Sequence, residues 1–492
     1  MKIKKFFKFI LILFFLFSSA YFIFCLITNY SPEKFLPPFP QAVVSVNQPK
    51  KILNEYSFLL DEYEEFKPIK KFLPFVPNLQ IYIVNLSSGP ILIVDSGYWR
   101  GLMGAAFFLK DWFFKAGEGI YLEENPLLEK DVFILKDGTE TLGFVAHRRN
   151  ILIVSPYHQT IKIALGNYDS VETPPKIEKS GDISIFFRPT AQIKKFLSLY
   201  PQLEFMKEIL DKHESGNAKI YFQDNSIKTE IVLKLKKPET YQEKVIEKFL
   251  QMDSWISSFY EKVPLRTSSF ASFSTEDLEK VYQYLILLLK NNKKVFSDLK
   301  MGNDALKFVT DKGIRELFFS WTGNEMGSLT LSNSKEPVLF IEIKDKAVFF
   351  DSFKPFIGEK AKESGEYEIY KIDLPGLFNF IKNIFAPSIE LPYFTVFDDK
   401  YLIIANNPKE IENFLNLSHQ VKLNSDKSYE IVKQNTDQNA HIHFYVDLSY
   451  GHLPVANLSP IIKKMLEKYY KAGGSIRFDY PEIKIDFTVV KN

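Results

Sequence analysis

The chain has 492 residues, more than one hydrophobic core ordinarily organises, so two large domains or a repeated unit are expected. At 46% hydrophobic and 25% charged it is globular in composition, and 62 basic against 60 acidic residues exclude the basic footprint of a nucleic-acid binder. Its one cysteine, Cys25, excludes a disulfide framework and a cysteine-built zinc site.

Lys2, Lys4, Lys5 and Lys8 precede an uncharged run from Phe9 to Thr28. Those 20 residues, at ~1.5 Å each, match the hydrocarbon thickness of a bilayer, about 30 Å. The run predicts a transmembrane helix anchored by Phe9, Leu13, Phe17, Phe24 and Ile27. Basic residues before the span and Glu33 after it orient the N-terminus to the cytoplasmic side of the membrane, with the rest extracytoplasmic. Two other readings compete. Ser18-Ser19-Ala20 offers small residues for signal cleavage, and Cys25 offers a thiol for lipid attachment. The apolar run continues through Ile27, however, and bulky Phe24 stands where lipidation wants a small residue, which favours an uncleaved anchor. Four prolines within 31–40 then predict an extended, semi-rigid spacer.

The second half echoes the first. Pro90–Asp95 recurs as Pro337–Glu342, Leu152–Val154 as Leu402–Ile404, Asp182–Phe187 as His441–Val446, and Ala218–Phe222 as Gly474–Phe478. The matches keep their order, at offsets of 247 to 259. The expected organisation is the anchor over 1–30, the spacer over 31–40, a first repeat over 41–238, a linking helix over 239–265 and a second repeat over 266–492.

Each repeat opens on a strand, Val43–Val46 or Phe270–Phe273. In the second repeat a helix follows, with Ser274 as its expected cap and a stripe of Leu278, Val281, Tyr282, Leu285 and Leu289. Later, Asn407, Pro408 and Glu410 mark a helix start. Closing strands alternate a mostly apolar face, Ile227, Thr229, Ile231, Leu233 and Leu235, or Ile483, Ile485, Phe487 and Val489, with a mostly charged or polar one, the sign of antiparallel sheet covered on one side. Between the repeats Tyr241, Val245, Phe249, Met252 and Ile256 line one side of the linking helix. The fold class is α+β: two tandem related units after a transmembrane helix, each an antiparallel sheet with helices packed on it.

The sequence carries no Gly-rich dinucleotide or phosphate loop, no His-Glu-x-x-His and no Gly-x-Ser-x-Gly. No cofactor is expected. His441 and His443 share a strand face with Tyr445 and Asp447 and are the weak metal candidates. Apolar Ile442, Phe444, Val446 and Leu448 opposite them assign the histidines to the solvent side of a half-buried strand. Phe107, Phe108, Trp112 and Phe113 form a candidate apolar contact surface, matched by a helix packed inside the fold.

The basic tip, the single span, the Pro-rich entry into Gln41–Val46, and Tyr401–Ala405 followed by Asn407–Ile411 resemble a family of bacterial single-pass membrane proteins of unknown function with long exported α+β regions. The resemblance implies an exported, anchored, non-enzymatic protein and transfers no functional residue. The expectation is therefore a membrane-tethered interaction or scaffold protein with a protein or lipid partner in the envelope; the alternative is a lipid or apolar-ligand carrier.

Overall fold

A computed structural model of the chain describes residues 28–37, 39–55, 79–97, 120–126, 128–129, 131–166, 175, 177, 180–188, 213–289, 293–334, 336–373, 392–450 and 468–491. The anchor residues Phe9, Leu13, Phe17, Phe24 and Ile27, and the contact residues Phe107, Phe108, Trp112 and Phe113, lie outside the described residues. Among the described residues no helix is long and apolar enough to cross a membrane. The fold is mixed α+β, mostly antiparallel sheet with helices. It divides into two compact units, one within 1–190 plus 217–222, the other within 191–216 plus 223–492.

In the first unit β1 (Ala42–Val46), β2 (Gln80–Leu86), β3 (Gly89–Asp95), β4 (Ile120–Glu124), β5 (Val132–Asp137), β6 (Glu140–Arg148), β7 (Ile151–Ser155) and β8 (Ile183–Phe187) pair antiparallel. Their order is β8-β1-β2-β3-β7-β6-β5-β4. Short helices α1 (Pro49–Glu55) and α2 (His158–Ala164) follow β1 and β7, and β9 (His213–Phe222) follows β8. Alternation decides which face is dry: Ile91, Ile93, Ile151 and Ile153 are buried with Val43, Tyr82 and Val84. Ile83 and Leu92, one residue out of phase, remain 46% and 36% exposed.

The segment 31–40 is not a free spacer. Pro32–Phe35 form a 3-10 turn, and Phe35 and Leu36 are buried in the core of the first unit. The prolines limit the backbone, but two adjacent apolar side chains find a dry face to fill, and their burial sets the path.

The second unit contains β10 (Ser226–Leu235), α3 (Tyr241–Leu250), β11 (Thr267–Ser274), α4 (Leu278–Leu289), α5 (Lys293–Thr310), α6 (Ile314–Phe318), β12 (Thr322–Leu331), β13 (Pro337–Ile343) and α7 (Lys346–Phe353). It continues with β14 (Ile357–Ser364), β15 (Tyr367–Ile372), β16 (Tyr393–Phe397), β17 (Tyr401–Ala405), α8 (Pro408–Ser418), α9 (Lys427–Gln434), β18 (Ile442–Asp447), β19 (Tyr469–Asp479) and β20 (Glu482–Lys491). Pairing is antiparallel throughout, in the order β10-β20-β19-β18-β11-β12-β13-β17-β16-β15-β14. From β18 to β14 this order corresponds strand for strand to β8 to β4 of the first unit. The strand β10 pairs along its length with β20, and residues 223–238 group with the second unit.

Two local expectations change. The linking helix stops at Leu250, capped at its start by Thr240 and Glu243; Val245, Phe249 and Met252 are buried, while Tyr241 and Ile256 are exposed. Ser274 belongs to β11 and donates to the Trp255 carbonyl, and the cap of α4 is Asp277, which accepts from the Lys280 N–H at 3.0 Å. The central sheet is covered on both faces. Leu402 and Ile404 join a core with Trp321, Phe349 and Phe353, and Tyr401 and Ile403 join another with Phe259, Phe340 and Phe414. Uninterrupted apolar runs in β13 and β17 are what such two-sided burial demands. The expected cap on α8 is present: Asn407 Oδ1 accepts from the Glu410 N–H at 3.1 Å, with Pro408 at the first helical position.

At Gly474 any side chain would drive its Cβ into the Asp486 carbonyl on β20 and to 2.8 Å from the Phe444 ring. Gly474→Ala is expected to cost about 2 kcal/mol, read as a lower urea midpoint with unchanged slope; an unaltered midpoint would show that the strands spread freely.

Candidate functional site: lead-in clamps and a buried polar row

Each sheet is entered through a 3-10 turn held by side chains from distant strands. In the second unit the turn is Phe259–Glu261, and its anchor is Glu325 on β12, fully buried. Glu325 accepts from the Ser258 N–H at 3.0 Å, the Phe259 N–H at 3.2 Å and the Ser257 hydroxyl. Those two amides are orphan donors at the start of the turn, which is where a carboxylate is most useful. Burial pushes the Glu325 carboxyl above the usual range and nearby Glu342 adds to the rise, while the three donors pull it back. Ser258 Oγ lies 2.5 Å from the Tyr401 hydroxyl and accepts from Lys400 Nζ at 2.8 Å. Lys400 also meets Glu342 at 3.2 Å, and Glu342 accepts from the Asn324 N–H at 2.8 Å.

The first unit repeats the device with different residues. Asn150, in the place of Lys400 before the equivalent strand, donates to the Tyr30 carbonyl at 2.9 Å and accepts from the Tyr30 N–H at 2.7 Å. Asp95, in the place of Glu342, accepts from Asn150 Nδ2 at 2.7 Å. Tyr82 donates to Glu33 within the turn at 3.0 Å; its own burial, with Glu33 alongside, pushes the phenol well above the usual range. Burial decides the aromatic partners as well. Phe259 stacks on Phe340 at 3.6 Å between centroids, and in the first unit Phe35, the last residue of its turn, is buried in the core.

Register also aligns one polar row across the second sheet. Gly327, Ser272, His443, Ser475, Asp486 and Glu230 stand directly opposite one another on β12, β11, β18, β19, β20 and β10. The equivalent positions of the first unit are Tyr82, Ser45 and Ser184. There Asn47 accepts from the Ser45 hydroxyl at 2.8 Å and donates to Ser184 at 3.3 Å. In the second unit Gly327 leaves its space to the Phe340 ring, which would meet any Cβ there.

The histidines sit on the covered face, not the solvent face. His441 is buried; its Nε2 donates to the Met252 carbonyl at 2.9 Å and its Nδ1 accepts from the Phe478 N–H at 3.1 Å. Both ring nitrogens are engaged, which leaves none for a metal. His443 Nε2 donates to the Asp437 carbonyl at 3.0 Å, while its Nδ1 and the Ser272 hydroxyl are buried with no partner among the described residues. Burial holds both imidazoles below their ordinary pKa, so they are neutral. Among the described residues no group of three His, Cys, Asp or Glu is placed to hold a metal ion. A cavity of about 20 Å³ beside His443, bounded by Tyr260, Tyr429, Lys433 and Gln438, has room for a single water. A wider dent of about 480 Å³ at Phe350, Asp351, Lys354 and Ile357 is open to solvent. Glu325 was not singled out from the sequence; the available signal was a lone Glu within the Thr322–Leu331 strand.

No family model matches the chain and no curated protein does. Solved structures match in part. Crystal forms III, I and IV of TP0453 are 12%, 11% and 13% identical to it. They cover 47%, 47% and 42% of this chain and 90%, 90% and 81% of their own, with TM-scores of 0.29, 0.27 and 0.29. At these scores the likeness carries no argument.

Proposed function

We propose that the chain is a membrane-tethered, extracytoplasmic scaffold or interaction protein of a bacterial cytoplasmic membrane, built by duplication of one α+β unit and working without enzymatic chemistry. The recurring clamp carries the reading. Asn150 in one unit and Lys400 in the other direct their polar atoms to the protein's own lead-in segment, at Tyr30 and Ser258, and Asp95 and Glu342 hold those two side chains from behind. The matching strand order supports the duplication, and the uncharged run Phe9–Thr28 supports the tether.

A second reading, a carrier of lipid or another apolar ligand, is favoured by one stripe on α5. Met301, Phe308 and Val309 share a helix face and are 61%, 92% and 61% exposed. Native mass spectrometry of the detergent-purified full chain separates the two. The scaffold reading predicts the mass of the polypeptide, alone or with a protein partner. An apolar ligand retained at fixed ratio, and lost in Phe308→Ser, would overturn it in favour of the carrier.

A further inference from the structure

We infer that the end of the first unit formed by the turns at Asp95–Gly97 and Arg148–Asn150 rests directly on the lipid surface, with phosphate headgroups as its partner. The inference rests on the tether reading above and adds the orientation of the first unit on the bilayer.

The predicted membrane span, Phe9–Thr28, ends at Thr28, and the clamp begins on that same residue. The exposed Arg149 donates to the Thr28 carbonyl at 2.8 Å, Asn29 donates to the Gly97 carbonyl at 3.1 Å, and Asn150 binds both backbone groups of Tyr30. Two residues reach at most about 7 Å, and a headgroup layer adds roughly 5–7 Å on each side of the hydrocarbon. A domain gripped at Thr28–Tyr30 therefore has its gripping turns within that layer. The chemistry at this end fits such a layer. The Tyr30 ring lies 4.3 Å beneath the Arg149 guanidinium and 5.6 Å from Lys34 Nζ, an aromatic with two cations in the place where interfacial anchors collect. Arg149 holds a positive φ of 56° at the tip of the β6–β7 turn, so its side chain is presented outward by a backbone conformation most residues avoid. The Arg fork suits phosphate oxygens.

The test uses the full chain in vesicles of phosphatidylethanolamine and phosphatidylglycerol. Cys25→Ser removes the native thiol, and a fluorophore is placed at Asp131→Cys, on the gripping end, or Ser87→Cys, at the opposite end of the sheet. The seven residues of β2 separate these ends by about 20 Å, so a nitroxide on the lipid headgroups should quench the Asp131 label about threefold more than the Ser87 label. Asn150→Ala and the exposed substitution Arg149→Ala should each shrink that ratio; the second keeps the test open if the first unfolds the unit. Equal quenching of both labels in a chain that floats with the vesicles would overturn the inference and leave the tether intact. A chain that does not float with vesicles would overturn both.

Discussion

Phe259→Ala is expected to lower the stability of the second unit by about 4 kcal/mol. Phe259 is fully buried, stacks on Phe340 at 3.6 Å, lies edge-on to Tyr401 at 4.9 Å and continues toward Phe270 and Phe414. Its ring is delivered by the lead-in turn and not by a sheet strand, so truncation removes both the packing and the reason for the turn to dock. Urea unfolding should show the lower midpoint, and hydrogen exchange should quicken first over Ser257–Val263. A loss below about 1 kcal/mol would mean that the turn is not a structural part of this core.

Glu325→Ala is expected to cost about 3 kcal/mol, because two backbone amides and the Ser257 hydroxyl lose their buried acceptor together. Glu325→Gln should cost less, since an amide oxygen still faces the two N–H groups. The pH dependence gives the sign. Burial, with Glu342 nearby, raises the carboxyl in the folded state, so folded protein holds this proton to higher pH than unfolded protein does. The group therefore favours folding most fully below its unfolded value, near 4.3 for Glu, and that contribution is lost as pH rises through the folded value. Glu325→Gln cannot titrate, so its penalty relative to wild type should be smaller at about pH 8 than at about pH 4. An identical penalty at both values would contradict the buried, raised carboxyl.

Much of the fold was legible because period-two alternation and ordered recurrence are local signals. Pro90–Asp95 and Pro337–Glu342 fall on β3 and β13, and Asn407 caps α8. What misled was burial supplied from afar. The Pro-rich 31–40 segment reads as extended until Phe35 and Leu36 meet strands that begin with residue 42 and beyond. Ile442, Phe444 and Val446 suggested the dry face of β18, yet Tyr429 of α9 packs against Tyr445 on the other. After Pro238 the apolar stripe runs on through Met252 and Ile256 in the sequence, but the helix ends at Leu250 and the chain turns to bring Ser257 to Glu325. The clamps were illegible for the same reason: Tyr30 and Asn150 are 120 residues apart, and no spacing rule connects them.

The most direct test of a tethered, extracytoplasmic protein is topology in cells. Membranes from cells expressing the full chain with a C-terminal epitope are washed in alkaline carbonate, and intact spheroplasts are treated with external protease. The tether predicts an epitope that stays with the carbonate-washed membrane and is destroyed by protease without lysis. An epitope released to the soluble fraction, or protected until the cells are broken, would contradict it.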